Sequence, residues 1–259
     1  MEPQTPLVLR EDLDGIVRLT LNHPQRRNAL SRAMLTQLRE HLLAIEADRS
    51  LRVVILKAHG PTFSSGHDLR ELAASSPTEL RAIFELSAEV MQTFPSLPQP
   101  TIAEVHALAT AAGCQLAASC DLIVAATTAS FSTPGVKIGL FCTTPSVPLS
   151  EALPPKKTLE MLLTGQPLSA SDAERFGLVN RVVAPQELAE HTLALARSIA
   201  VASPTVLATG KRNFYRLLGL GRQAAYQLAT PIMAEQAAAL AGREGMAAFL
   251  EKRPPVWPE

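Results

Sequence analysis

The sequence predicts an α/β domain with a helical final third, and three features of its pattern lead there. Short apolar runs rich in β-branched residues recur at 16–21, 53–56, 101–105 and 122–125, each closed by polar residues, Gly or Pro, as strands are. Between them apolar residues fall at helical spacing: Leu35, Leu38, Leu42 and Ile45 behind a Ser31 N-cap, then Leu80, Ile83, Phe84, Val90 and Met91. In the last third the punctuation becomes that of helices. Ser169 reads as an N-cap and Gly177 as a stop, Leu188, Thr192, Leu195 and Ile199 keep helical spacing, and Ser203-Pro204 reads as a cap and first turn. The proline-rich stretches at 95–100 and 145–155 read as rigid turns rather than linkers, and no fixed-period repeat is present, so residues 1–259 read as one domain.

Composition excludes several classes of function. At 259 residues the chain can bury a substantial core, and Lys+Arg and Asp+Glu both number 24. A net charge of zero sets up no global field for nucleic acid or an acidic membrane surface. Only 4% of residues are aromatic and no helix is dense in Lys and Arg, which weighs further against RNA as a partner. Cys114, Cys120 and Cys142 match neither a disulfide framework nor a zinc or thioredoxin spacing, and no HExxH pattern appears, so no metal is expected and a reducing compartment fits. The opening MEPQTPLVLREDLDG lacks a basic segment followed by an apolar one, and Glu104, His106, Gln115 and Asp121 interrupt the one long apolar tract. The expectation is a soluble chain without a targeting signal or membrane partner.

Two segments carry the chemistry. Residues 53–69, VVILKAHGPTFSSGHDL, read as a buried strand running into a turn of small residues, where Ser and Gly let backbone N–H groups approach a ligand closely. Residues 108–116, LATAAGCQL, read as a strand end followed by a helix of small residues, whose first N–H groups are unpaired and sit at the positive end of the helix dipole. Two such loops facing one another would bind an oxygen that becomes negative during reaction, as an oxyanion hole does.

FSSGHDL resembles the first loop of the enoyl-CoA hydratase/isomerase (crotonase) family, and GCQLAASCDL resembles the helix and strand that follow its second. The similarity extends to HPQRRNAL, TGQPLSASDAERFGLVNRVV and REGMAAFLEKR, nearly the whole chain, and is greatest to the enoyl-CoA hydratase domain-containing type. The resemblance implies a spiral of ββα units over residues 1–195 and a helical trimerisation region over 196–259. It places the thioester oxygen between the backbone N–H groups of His67 and Ala112. Arg27, Ala29, Ser65, Asp68 and Leu69 match positions lining the coenzyme A groove, while Phe249 and Lys252 match positions that reach a neighbouring subunit's ligand. An acyl-CoA ligand, no covalently bound cofactor, and assembly into a homotrimer or a dimer of trimers follow from the same resemblance. So does residence in the cytoplasm of a bacterium or in a mitochondrial matrix.

The pattern is broken where family hydratases carry two glutamates, because those positions are Gln115 and Gly135. Glutamine neither takes nor delivers a proton near neutral pH and glycine has no side chain, so the two-carboxylate route is absent. Each group is normally worth roughly 10²–10⁴ in rate. Cys142, beside Thr143 in GLFCTTP, is a candidate nucleophile or base if its pKa is depressed, and otherwise a small buried hydrophobe. His67 titrates near neutral pH, with a local hydrogen bond to Asp68 expected. A water or bicarbonate beside Gly135, held by Ser132 and Thr133, would be another source of base. Two functions are compatible with this reading: an enzyme that stabilises a thioester enolate, and an acyl-CoA-binding or regulatory protein without catalysis.

Overall fold

A computed structural model describes residues 5–258. In chain order its elements are β1 (Val8–Leu13), β2 (Ile16–Leu21), α1 (Arg32–Ala47), β3 (Val53–Ala58), α2 (Leu69–Ala74), α3 (Pro77–Ser96), β4 (Thr101–Val105), β5 (Leu108–Thr110) and α4 (Ala112–Ser119). Then come β6 (Leu122–Ala126), β7 (Ser130–Ser132), α5 (Thr143–Ala152), α6 (Pro155–Thr164), β8 (Leu168–Ser169), α7 (Ala170–Phe176) and β9 (Arg181–Val183). Helices α8 (Leu188–Ala200), α9 (Pro204–Leu217), α10 (Arg222–Ala238) and α11 (Leu240–Leu250) close the chain.

The four apolar runs become the centre of a six-stranded sheet ordered β1-β2-β3-β4-β6-β9, parallel throughout except for the antiparallel β1–β2 hairpin. Strands buried on both faces need no polar alternation, which is why Val53, Val54, Ile55 and Leu56 are all buried. Val54, Leu56, Ala103 and Ile123 face a core that includes Leu35, Leu38, Val90 and Leu116 from α1, α3 and α4. The opposite face, Ile16, Val53, Ile55, Ile102 and Val124, packs on Leu188 and Ala196 of α8. A second sheet, β5-β7-β8, lies beside the first and delivers the chain into α4. These units and the helical end agree with the ββα spiral that the resemblance implies.

Two of the three expected N-caps bond through their side chains, Ser203 stands at the start of α9 without such a bond, and one cap, at Ser76, was not expected. Ser31 accepts from Met34 N and Ser169 from Asp172 N, while Ser76 and Glu79 form a reciprocal capping box. Residues 145–155 differ from the expected rigid turn, because α5 runs through Pro145 and Pro148 and α6 starts at Pro155. Pro145 and Pro155 fall in first turns, where a missing N–H costs no helical bond, and only Pro148 interrupts the ladder. The expected boundary at residue 195 falls inside α8; the break in the structure is the turn at 201–203.

Asp121, which reads in the sequence only as an interruption of an apolar tract, ties α9 to the core. Its Oδ2 accepts from Thr101 N (2.6 Å) and Thr101 Oγ1 (2.8 Å) and pairs with Lys211 Nζ at 2.7 Å, while Tyr215 donates to Oδ1 at 2.8 Å. Lys211 also donates to the carbonyls of Phe94 (2.7 Å) and Gln99 (2.9 Å). Beyond α9, Tyr226, Met233, Leu240, Met246, Phe249 and Leu250 are exposed on α10 and α11. Among the described residues no single helix is long and apolar enough to cross a membrane.

Candidate active site

The site forms where the turn before α1, the loop after β3 and the β5–α4 junction are stitched together. Ser65 N donates to Arg27 O (3.0 Å), Leu30 N to Gly66 O (2.8 Å), and Thr110 N to Ser64 O (3.0 Å). Ser64 Oγ donates to Asn28 O at 2.8 Å. Asn28 is buried in the left-handed region (φ 50°), its Nδ2 donating to the carbonyls of His59 (2.8 Å) and Thr62 (2.9 Å) and its Oδ1 accepting from His23 N (2.8 Å). Sequence reasoning named its neighbours Arg27 and Ala29 and missed Asn28. The available signal was that Asn tolerates this conformation better than other non-glycine residues.

Glycine is required where the loops touch. A Cβ on Gly66 (φ 83°) would lie 2.9 Å from Ala111 Cβ and 3.1 Å from Ala112 N, and one on Gly113 would lie 2.5 Å from Ser64 O. His67 and the start of α4 are thereby held side by side. Ala111 turns the chain into α4 with φ 52° and ψ −122°, a conformation ordinarily left to glycine and costing about 1–3 kcal/mol. Its own N–H donates to Ser132 O (2.8 Å), and no main-chain carbonyl of a loop or turn accepts from His67 N or Ala112 N among the described residues. Two adjacent unoccupied donors, one of them at a helix N-terminus, are the geometry that two-point recognition of an oxyanion needs.

The His67 side chain does not bond Asp68, as the sequence led us to expect. Asp68 Oδ1 instead accepts from Arg70 N (2.9 Å) to cap α2, and the imidazole packs edge-on against Phe84 with centroids 5.0 Å apart. The ring nitrogens are buried, and the Leu30 backbone is the one hydrogen-bonding group acting on them. Burial lowers the His67 pKa below 6.5, with the Leu30 backbone and the charge of Glu71 only partly offsetting it. A depressed histidine stabilises the fold fully above its unfolded pKa, and that contribution is lost as pH falls below 6.5 toward the folded value. Urea titrations at about pH 7.5 and about pH 5.5 are therefore expected to show a smaller acid loss in His67→Gln than in wild type; equal losses would mean that His67 is not the group responsible.

Gln115 is buried one turn along α4, its Oε1 without a partner, and the fully buried Thr133 hydroxyl is likewise unpaired. Gly135 has no room for a side chain: a Cβ there would lie 2.4 Å from Leu140 O and 2.8 Å from Cys142 Sγ. Nearby, the Ser132 hydroxyl donates to Thr110 Oγ1 at 2.8 Å. Burial raises the Cys142 thiol, the Gly135 backbone pulling the other way, and pushes Cys114 up to about 12. That is opposite to the depressed thiol a nucleophile requires.

Of the expected groove residues, Arg27 (φ 51°), Ala29, Ser65 and Asp68 cluster at the stitched loops, and Leu69 is exposed at the start of α2. Phe249 is 83% exposed, and Lys252 follows the end of α11, which packs mainly on α10; neither is brought to the site within one chain. No group of three or more His, Cys, Asp or Glu side chains suited to a metal occurs among the described residues. A recess of about 650 Å³ bounded by Arg49, Arg52, Gln99, Pro204 and Trp257 lies at the opposite ends of β3 and β4, away from these loops.

A ββα spiral that brings two such loops together defines a protein of the crotonase class. The model of the enoyl-CoA hydratase/isomerase family matches residues 11–259, and the chain belongs to that family. It is 46% identical over 257 residues to enoyl-CoA hydratase domain-containing protein 3, mitochondrial, of Mus musculus, covering 99% of this chain and 86% of the relative. The crystal structure of the human protein of that description is 46% identical with a TM-score of 0.94, covering 97% of this chain and all (100%) of the other. An enoyl-CoA hydratase structure from Mycobacterium smegmatis is 45% identical with a TM-score of 0.95, covering 98% and 99%.

Proposed function

We propose that this chain binds acyl-CoA thioesters with the thioester oxygen between the N–H groups of His67 and Ala112, where negative charge developing on that oxygen, as in an enolate, would be stabilised, and that it does not hydrate enoyl-CoA at an enzymatic rate. The observation that carries the reading is the pair of unoccupied backbone donors held together by Gly66 and Gly113. The absence of hydration is supported by Gln115 in place of an acid and by Gly135, which has no side chain and no room for one. Arg27, Ala29, Ser65, Asp68 and Leu69 line the coenzyme A groove in this proposal.

The unpartnered apolar side chains of α10 and α11 favour a second and third copy as partners, with Phe249 and Lys252 meeting a neighbour's ligand. The mitochondrial designation of the vertebrate relatives supports a matrix location over a bacterial cytoplasm. A binding or regulatory role without catalysis is favoured by one observation: neither thiol near the site is activated. It predicts binding with no turnover across a broad panel of acyl-CoA thioesters.

Calorimetric titration with butyryl-CoA and with S-butyl-CoA, which lacks the carbonyl oxygen, tests the clamp. Two hydrogen bonds at about 0.5–1.5 kcal/mol each make the thioester roughly 5- to 150-fold the tighter ligand. Equal affinities would contradict the proposed pose.

A further inference from the structure

We infer that residues 252–258 form a clasp that seats α10 and α11 on the body of the chain, with Trp257 as its latch. By fixing where the apolar face of these helices lies, the clasp governs the assembly proposed above. That consequence rests on the assembly reading; the clasp itself does not.

The last two helices hold little core of their own. Whereas α1 buries Met34, Leu35, Leu38, Leu42 and Ile45, among the described residues α10 has no buried side chain and α11 only Ala241 and Ala248. Helices in proteins are held mainly by packing of an apolar face, so this pair needs another attachment. The residues after α11 supply one. At Lys252 (φ 55°) the backbone enters the left-handed region, where Lys252 N donates to Phe249 O (3.2 Å) and Arg253 N to Ala248 O (3.0 Å), the two bonds of a Schellman reversal. Glycine is the usual residue at that position, and lysine persists there when contacts further along favour the reversal.

Two sets of contacts do so. Arg253 forks Glu244, Nη1 to Oε1 at 2.6 Å and Nη2 to Oε2 at 3.1 Å, while its Nε donates to Glu251 Oε2 at 2.6 Å. Val256 N donates to the same Glu244 Oε1 at 2.7 Å. Single exposed ion pairs contribute little, but a bidentate pair whose carboxylate also takes a backbone N–H fixes one geometry, here the tail laid back along α11. Trp257 then reaches a different element. Its Nε1 donates to Val201 O (2.7 Å) in the turn between α8 and α9, and its ring lies 3.5 Å from where a Cβ on Gly245 would stand. From the other side Arg52, at the entry to β3, donates through Nη2 to Ala200 O (3.1 Å) and Ala202 O (2.6 Å). Three successive carbonyls of one turn thus join the tail of α11 to the central sheet. Pro254, Pro255 and Pro258 restrict the free tail, so less conformational entropy is lost when it docks.

Trp257 is the only tryptophan in the chain, so its emission reports the latch directly. The test is hydrogen exchange and sedimentation velocity on full-length wild type, Trp257→Ala and Glu244→Ala, with urea titrations of tryptophan emission for wild type and Glu244→Ala. Trp257→Ala is expected to speed exchange in α11 roughly tenfold or more, to leave β3 and β4 unchanged, and to raise the concentration at which the assembly dissociates by a similar factor. Glu244→Ala is expected to act in the same direction, its emission shifting to the red at lower urea than in wild type, and it decides the matter should Trp257→Ala fail to fold. Unchanged exchange in α11 would overturn the inference. Equal acceleration in α11 and β3 would overturn it too, since Trp257 would then be an ordinary part of the core. So would an assembling wild type matched in sedimentation by both variants. A wild type that stays monomeric at every concentration would instead overturn the assembly reading, and exchange in α11 would then decide the clasp alone.

Discussion

Gly113→Ala is expected to lower stability by about 1–3 kcal/mol, the usual cost of forcing a methyl group into a packed interior, and to abolish thioester binding with it. The added Cβ would lie 2.5 Å from Ser64 O and 2.7 Å from Ser64 Cβ. Ser64 has little freedom to yield, since its carbonyl accepts from Thr110 N at 3.0 Å and its hydroxyl donates to Asn28 O at 2.8 Å. Relief has to come from moving the start of α4 away from the loop, which separates the Ala112 N–H from the His67 N–H. Urea denaturation measures the first effect and butyryl-CoA titration the second. A variant with both wild-type stability and wild-type affinity would show that the two loops do not need this close approach.

Lys211→Met is expected to cost about 3–5 kcal/mol, because removing one partner of a buried ion pair leaves the other charge uncompensated. The side chains of Lys211 and Asp121 are only 7% and 15% exposed, and burial lowers the Lys211 pKa even with Asp121 beside it. Desolvation therefore outweighs attraction at the lysine, and a Lys211→Met, Asp121→Asn double variant is expected to recover part of the loss. Denaturant midpoints of the four proteins in this cycle check the coupling. Additive losses would mean that the pair does not act as a unit holding α9.

What the sequence revealed and what it hid divide along the range of the interactions. Strands such as β3 and helices such as α1 are legible because a run of residues repeats one local rule: continuous apolar character for a strand covered on both faces, 3.6-residue spacing for a helix with one buried stripe. Ser31 and Ser169 are legible because a cap is satisfied within three residues. Asn28 and Asp121 are not, since the carbonyls that accept from Asn28 Nδ2 lie 31 and 34 residues away, and Thr101 and Tyr215, which donate to Asp121, lie 20 and 94 residues away. The His67–Asp68 bond failed as an expectation because Asp68 caps α2, a six-residue helix too short to show a period. At the site, the two loops and the missing carboxylates could be read directly from residue types. The lack of room for a side chain at Gly135 could not, because it depends on how the chain folds back from 135 to bring Leu140 O and Cys142 Sγ against it.

In the proposed function an acyl-CoA clamp persists without the acid and base of a hydratase. Hydration of crotonyl-CoA, followed by loss of the enoyl-thioester absorbance while calorimetry confirms that the thioester is bound, tests it most directly. Crotonyl-CoA is expected to bind and to turn over more than roughly 10²-fold below the usual enzymatic range of about 1–10³ s⁻¹. Turnover within that range would contradict it, and would mean that a residue other than Gln115 or Gly135 supplies the proton chemistry.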